Sequence, residues 1–361
     1  MKTLIKIIAI LAAYLLGHNI SHAQWERCED PVILSGSGYY DISVCGSHVY
    51  AYEELITVPR LFYSSDNGTN WIEKEKPFQE RKSIRYFSEI GKFLFASSIK
   101  KGILRSEDSG GTWESVTAGF SELSAGDVLQ LGNKLFAFSN KGLLESADTG
   151  KTWKVNDGIG SKNVIGIYTN KNELFACLPF DKMVLVSADT GKSWSNILSG
   201  PIKDIKPSKV KANGNDIYIS AYNNLDQSFW YSGDKGKNWE MRMNGLPLMD
   251  NRYIVDFIVK GNNLMIHVNS SKSNDMLQGV YISTDKGISW KQRNSGLVWT
   301  YLNGDRICSN NEYAYIPIEW GNGIYRARLN DLFDVTGAED MEIEYYSYHF
   351  FAYPPRPNPS S

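Results

Sequence analysis

Cysteine is scarce in this chain, at four in 361 residues. That is too few for a disulfide-built scaffold. The absence of any CxxC or His/Cys cluster leaves neither a metal site nor a cofactor to expect. An excess of charge of one sign is also missing. Lys and Arg number 38 against 40 Asp and Glu, a net charge of −2, so the chain lacks the basic footprint with which a nucleic-acid binder neutralises phosphates. Beyond the first 23 residues no run is apolar enough to span a bilayer. No serine nucleophile elbow, phosphate loop or metal motif occurs. General disorder is excluded by 42% hydrophobic and 22% charged residues.

Aromatics and glycine, by contrast, are plentiful. Aromatics make up 13%, including ten Trp, beside 31 Gly, a composition suited to many short strands and tight turns. Whether the tryptophans are structural or line a binding surface is the first question.

Both ends of the chain differ from its middle. Lys2 and Lys6 precede an apolar run from Ile7 to Leu16, and Ser21-His22-Ala23 offers a small-x-small cleavage site. Residues 1–23 read as a secretory signal peptide. The run is shorter than the ~20 residues a membrane anchor needs. The expected location is outside a bacterial cell or on its surface. From about Asp331 the internal pattern stops, and the chain closes on a Pro-rich stretch, Tyr353 to Ser361. Thr336-Gly-Ala-Glu-Asp340 followed by Pro357-Asn-Pro-Ser-Ser361 resembles the linker and opening of the C-terminal sorting domains of type IX secretion. The expected organisation is therefore a signal at 1–23, one folded domain over 24–329, and a linker or tail at 330–361.

One octet recurs six times in that domain: SSDNGTNW at Ser64–Trp71, SEDSGGTW at Ser106–Trp113, SADTGKTW at Ser146–Trp153, SADTGKSW at Ser187–Trp194, SGDKGKNW at Ser232–Trp239 and STDKGISW at Ser283–Trp290. Its aspartates are Asp66, Asp108, Asp148, Asp189, Asp234 and Asp285. A period near forty residues is that of a propeller blade. Each octet reads as a hairpin turn. The carboxylate accepts local backbone N–H groups, the glycine supplies positive φ, and the tryptophan packs back over the hairpin. Upstream of each octet stands a strand, a polar turn and a second strand, as in Leu131-Gly-Asn-Lys-Leu-Phe-Ala137. A seventh copy, Asn310-Asn-Glu-Tyr-Ala314, has no octet after it. Seven blades with six octets leave one outer strand missing. Gln24-Trp-Glu-Arg-Cys28 aligns with Thr112-Trp-Glu-Ser-Val116. The expected fold is thus all-β: a seven-bladed propeller of four-stranded antiparallel blades, closed by its N-terminal strand, which covers an open edge. Cys45 and Cys308 read as equivalent positions on blades one and seven, about 10 Å apart and too far for a disulfide. Buried free thiols are expected.

The octets resemble the Asp-box, or bacterial neuraminidase repeat. Proteins carrying it include sialidases, xyloglucanase-type glycoside hydrolases, sortilin-type receptors and the photosystem II assembly-factor family. The resemblance implies that the six aspartates are structural. It also implies function on the opposite face, in loops between blades and between second and third strands. Those loops carry Arg60, Tyr222, Trp230, Arg252, Trp299, Tyr301 and Trp320 as candidate ligand-binding residues, and Glu53, Asp181 and Glu319 as candidate catalytic acids, which would have to pair at ~5–10 Å. Sialidases carry Arg-Ile-Pro before the first box, where this chain has Val58-Pro59-Arg60, and they use six blades. Xyloglucanase-type enzymes work between two rings. The assembly-factor family has a single seven-bladed ring and acts by binding proteins, and its fold and non-catalytic style carry over best. The reading is a secreted, monomeric binding module for an extracellular glycan or protein. The alternatives are a glycoside hydrolase of sialidase-like or xyloglucanase-like type, and a structural surface or adhesion protein. Seven tryptophans are then assigned to blades, leaving Trp230, Trp299 and Trp320.

Overall fold

A computed structural model describes residues 24–28, 39–54, 60–74, 84–98, 101–120, 122–223, 226–248, 252–272, 275–297, 306–318 and 323–334. The segments read as signal peptide and C-terminal tail lie outside the described residues, except for 330–334. Seven four-stranded antiparallel sheets follow one another along the chain. Blade 1 comprises β2 (Tyr39–Cys45), β3 (His48–Glu54), β4 (Arg60–Ser64) and β5 (Ile72–Lys74). Blade 2 is β6 (Ile84–Ile90) to β9 (Glu114–Ser115), and blade 3 is β10 (Ala125–Leu131) to β13 (Lys154–Val155). Blade 4 is β14 (Gly166–Asn170), β15 (Glu173–Leu178), β16 (Met183–Ser187) and β17 (Ser195–Asn196). Blade 5 is β18 (Lys206–Asn213), β19 (Asp216–Asn223), β20 (Asp226–Ser232) and β21 (Glu240–Met241). Blade 6 is β22 (Arg252–Lys260), β23 (Asn263–Ser270), β24 (Gly279–Ser283) and β25 (Lys291–Gln292). Blade 7 takes β26 (Cys308–Ser309), β27 (Tyr313–Ile318) and β28 (Gly323–Arg328) from the end of the ring, and β1 (Glu26–Arg27) from its beginning. The short helix α1 (Leu329–Phe333) follows.

The octets are the third-to-fourth-strand turns, and their hydrogen bonds repeat. In blade 1 the Ser64 hydroxyl donates to Asp66 Oδ1 at 2.8 Å and accepts from the Gly68 N–H at 2.8 Å. The other end of the turn is held by the Asn70 N–H and side-chain amide, which donate to the two carboxylate oxygens at 2.9 and 2.7 Å. The Ser–Asp bond recurs at 2.7, 2.7, 2.8, 2.8 and 2.6 Å in blades 2 to 6. Two residues per turn are left-handed rather than the glycine alone: Asn67 has φ 60° and Gly68 φ 81°. A Cβ on Gly68 would lie 3.3 Å from the Trp71 ring, so the glycine also makes room for the tryptophan.

Ring closure follows the same rule. The Trp194, Trp239 and Trp290 indoles donate to Asn156 Oδ1, Ile197 O and Arg242 O, each three residues beyond the previous blade's tryptophan. Trp25, only 1% exposed, donates to Arg293 O at 2.9 Å, three residues beyond Trp290. It is the seventh blade's tryptophan. Glu26 and Arg27 pair with Arg326 and Tyr325.

Seven apolar clusters fill the seven junctions between neighbouring blades. Among the described residues no single central core forms. The cysteines are free, with Cys28 and Cys177 buried and Cys45 and Cys308 partly so. The equivalence expected of Cys45 and Cys308 is off by two residues. Cys45 pairs across its hairpin with His48, whereas Cys308 pairs with Tyr315; Cys308 is level with Ser43. Burial pushes the thiols up to about 11 at Cys45 and about 12 at the other three.

Candidate functional site

The first strand of each blade lines the central channel, and pairing places its end and the octet at the same face. The backbone shows this: the N–H of Asn67, Lys235 and Lys286 in the octets donates to Ser47, Asn215 and Asn262 in the turns after the first strands. The starts of the first strands and the second-to-third-strand connections are therefore at the opposite face.

A ring of positions that the sequence reading did not single out lines the channel. Five residues before the first residue of each first turn are Asp41, Tyr86, Asp127, Gly166, Lys209, Asp256 and Arg306. The Arg306 guanidinium reaches across to Asp127 at 2.8 Å and lies 4.5 Å from the centre of the Tyr86 ring. Asp256 takes Lys211 at 3.2 Å and Lys209 at 3.8 Å. Burial would raise the Asp256 carboxyl, but Lys209, then Lys211 and Arg306, outweigh it and hold it at about 2. Burial, reinforced by the Lys211 charge, lowers the Lys260 ammonium nearby. Two residues further along the first strands of blades 1, 2 and 5, side chains cross to the next blade. Ser43 accepts the Phe87 N–H at 3.1 Å, Ser88 accepts the Val128 N–H at 3.1 Å, and Lys211 donates to the Phe257 carbonyl. A cavity of about 430 Å³ is lined here by blades 7, 1, 2 and 3, with Ser43, Cys45, Glu89, Asp127, Gln130, Arg306 and Cys308 among its walls. Two of the Arg306 nitrogens, Nε and Nη1, are buried there without a hydrogen-bond partner.

The sequence-derived candidates are spread more widely. Arg60 opens β4 and is held by Glu73 through two bonds, 2.8 and 3.2 Å, while stacking 4.6 Å from the Phe62 ring. Tyr222 stands near the end of β19 with the Lys206 ammonium 5.7 Å from its ring centre. Trp230 is not in a loop. It sits within β20, packs on the blade 4–5 cluster, and donates to the Ser228 hydroxyl at 2.9 Å. Arg252 opens β22 and is clamped to Asp275 at 2.7 and 3.1 Å. Asp181 is ion-paired to Lys162 at 2.7 Å. Glu53 faces Arg60 in the β3–β4 register, with its side chain outside the described residues. Trp299, Tyr301, Glu319 and Trp320 also lie outside them. The structure thus brings Tyr222 and Arg252 to one face of adjacent blades and leaves Arg60 apart, on blade 1. Among the described residues no group of three or more His, Cys, Asp or Glu is placed to hold a metal ion, and no helix is long and apolar enough to cross a membrane.

Residues 76–332 match the family model described as the DUF6242 beta propeller domain. The chain belongs to that family. No curated protein sequence matches it. Among solved structures, YCF48 bound to D1 peptide superposes with a TM-score of 0.60 at 14% identity, over 86% of this chain and 98% of that one. The GH74 xyloglucanase from Xanthomonas campestris superposes with a TM-score of 0.61 at 15% identity, over 86% of this chain and 54% of that one. The extracellular domain of a putative one-component system from B. thetaiotaomicron gives 0.58 at 14% identity, over 84% of this chain and 40% of that one. At such identities these likenesses establish a shared fold.

Proposed function

We propose that this propeller is a non-catalytic binding module for an extracellular protein or glycan, held on the face opposite the octets. The reading takes residues 1–23 as an export signal and the octets as structural Asp-boxes. One observation carries it. The octet aspartates and Asp181 are already engaged: each octet carboxylate accepts the serine hydroxyl of its own turn at 2.6–2.8 Å, and Asp181 is ion-paired to Lys162 at 2.7 Å. A glycosidase needs two carboxyl groups flanking the scissile bond. The peptide-bound YCF48 structure shows that a ring of this fold and size can present a peptide-binding surface. The test is a glycan array and a peptide screen run beside a panel of chromogenic glycosides. Binding without turnover is expected. Turnover that disappears in Glu53→Gln, Asp181→Asn or Glu319→Gln would sink the proposal in favour of a glycoside hydrolase.

A further inference from the structure

Among the described residues, large apolar side chains left in solvent are few, and they are unevenly placed. Of the eight exposed ones there, five stand at a single end of two blades: Ile165 and Phe180 on blade 4, and Tyr253, Met276 and Leu277 on blade 6. Ile165 and Tyr253 stand at the starts of first strands, and Phe180, Met276 and Leu277 fall between second and third strands. All five therefore belong to the face opposite the octets. Phe180 is 77% exposed, at the tip of the β15–β16 turn, where covering it by a partner would remove apolar surface from water. Clustered exposure of this kind marks an interaction surface.

Blade 5 lies between these two blades and supplies charge. Lys203 and Lys206, on the approach to and first residue of β18, are exposed, as is Lys272 just beyond β23 on blade 6. None of the three makes an ion pair among the described residues. Among the described residues, acids at this end are already taken: Asp181 by Lys162 at 2.7 Å, Asp204 by Lys182 at 3.9 Å, and Asp275 by Arg252 at 2.7 Å. The positive charge continues inward along the same strand, where Lys209 and Lys211 share the single carboxylate of Asp256. A chain with balanced overall charge thus concentrates unpaired cations beside its exposed apolar groups.

We propose that this end of blades 4–6 docks an acidic segment of a partner protein that also carries apolar side chains. This rests on the binding-module reading and names its partner class. The carboxylates would meet Lys203, Lys206 and Lys272, and the apolar side chains would cover Phe180, Leu277 and Met276. Three of the five, Ile165, Met276 and Leu277, are not aromatic, which favours a polypeptide over a glycan. Sugars stack on flat aromatic faces, whereas Ile, Leu and Met match the side chains that fill protein interfaces, where Met is enriched.

The test pans a random twelve-residue peptide display library on the intact protein. Enriched peptides should combine Asp or Glu with Leu, Ile, Phe or Met. Their affinity should fall about tenfold or more in Lys203→Glu/Lys206→Glu/Lys272→Glu, and fall with added salt, as charge-steered contacts do. Phe180→Ser/Leu277→Ser should weaken the same peptides, whereas Ile72→Ser/Ile288→Ser, away from the patch, should not. Thermal melts of the variants, whose altered side chains are all exposed, check that each stays folded. Enriched peptides without acidic residues, or acidic peptides that bind the charge-reversed protein within about twofold, overturn the inference and leave the binding-module reading standing. So does lysine-dependent binding of polygalacturonate when no peptide is enriched. Glycoside turnover overturns the binding-module reading and this inference with it.

Discussion

Arg306 shows how much one residue can organise in this fold. It reaches from blade 7 to Asp127 on blade 3, across the channel rather than along its wall. Its side chain is 16% exposed and that of Asp127 23%, between the regimes of surface and buried ion pairs. Asp127→Asn, which leaves the guanidinium facing Tyr86 without its counter-charge, is expected to cost about 1–3 kcal/mol. Asp127→Asn/Arg306→Met should recover part of that loss, because no unpaired charge then remains. Urea unfolding of the two single variants and the double variant measures the coupling; strict additivity would count against a direct pair. Arginines elsewhere link blades differently. Arg326 Nη1 donates to Asn67 O at 2.7 Å, Arg105 Nε to Thr149 O at 3.0 Å and Arg242 Nη1 to Lys286 O at 2.6 Å. In each case the acceptor is the left-handed residue before an octet glycine, in the following blade.

At the scale of elements, the two-residue strand β1 matters beyond its length. It brings Trp25 into the blade 6–7 cluster and completes the outer edge of blade 7. Trp25→Ala is expected to cost about 3–5 kcal/mol, the usual loss for a fully buried large aromatic, and removal of residues 24–28 should lower the melting temperature further. An unchanged melt by calorimetry would show that the ring does not depend on this strand. The strand was legible in the sequence because a tryptophan stands one blade-length before Trp71, followed by a strand-like stretch. The channel ring was not, although it too is periodic. First strands in blades 2, 3, 5 and 6 shift register at Ile84/Tyr86, Ala125/Val128, Pro207/Lys209 and Ile254/Asp256. Such bulges break the alternation by which inward and outward side chains are told apart. Counting back from the turn rather than along the strand would have found Asp41, Asp127, Lys209, Asp256 and Arg306. Trp230 was misplaced for a related reason: β19 and β20 run on to Asn223 and Asp226, so residues read as loop are strand.

For the whole molecule, the repeated octets make stability depend on acid in one direction. In Asp108 the Thr112 N–H, then the Ser106 and Thr112 hydroxyls, hold the carboxyl at about 2. Asp66, Asp148 and Asp234 are held at about 2 as well, and Asp189 and Asp285 are also lowered. An unfolded aspartate titrates near 3.9. A carboxyl depressed in the folded state contributes stability that is complete above the unfolded value and is lost as pH falls through the folded one. Thermal melts should therefore hold steady from neutrality down to about pH 5 and decline together from about pH 4 to pH 2. Replacing one octet aspartate by asparagine should make that decline shallower; a decline centred near pH 6 would assign it to other groups. The fold was readable at this scale because six turns announce it in nearly identical words. The ligand face was not, because its loops differ from blade to blade, and four of the candidate residues there lie outside what is described.

The hydrogen bond from Trp25 to Arg293 spans 268 positions of sequence. A ring stitched in that way cannot be finished while it is being made. During synthesis the segment that seals blade 7 leaves the ribosome before blades 1 to 6, and its docking surface on β28 leaves after them. Until then β28 presents an unpaired edge and the blade 6–7 cluster lacks its largest side chain. Joining such distant parts of a chain is slow, and an open strand edge invites pairing with other chains. The nascent molecule therefore passes through a stage in which six blades can be complete while β1 and β28 have yet to meet.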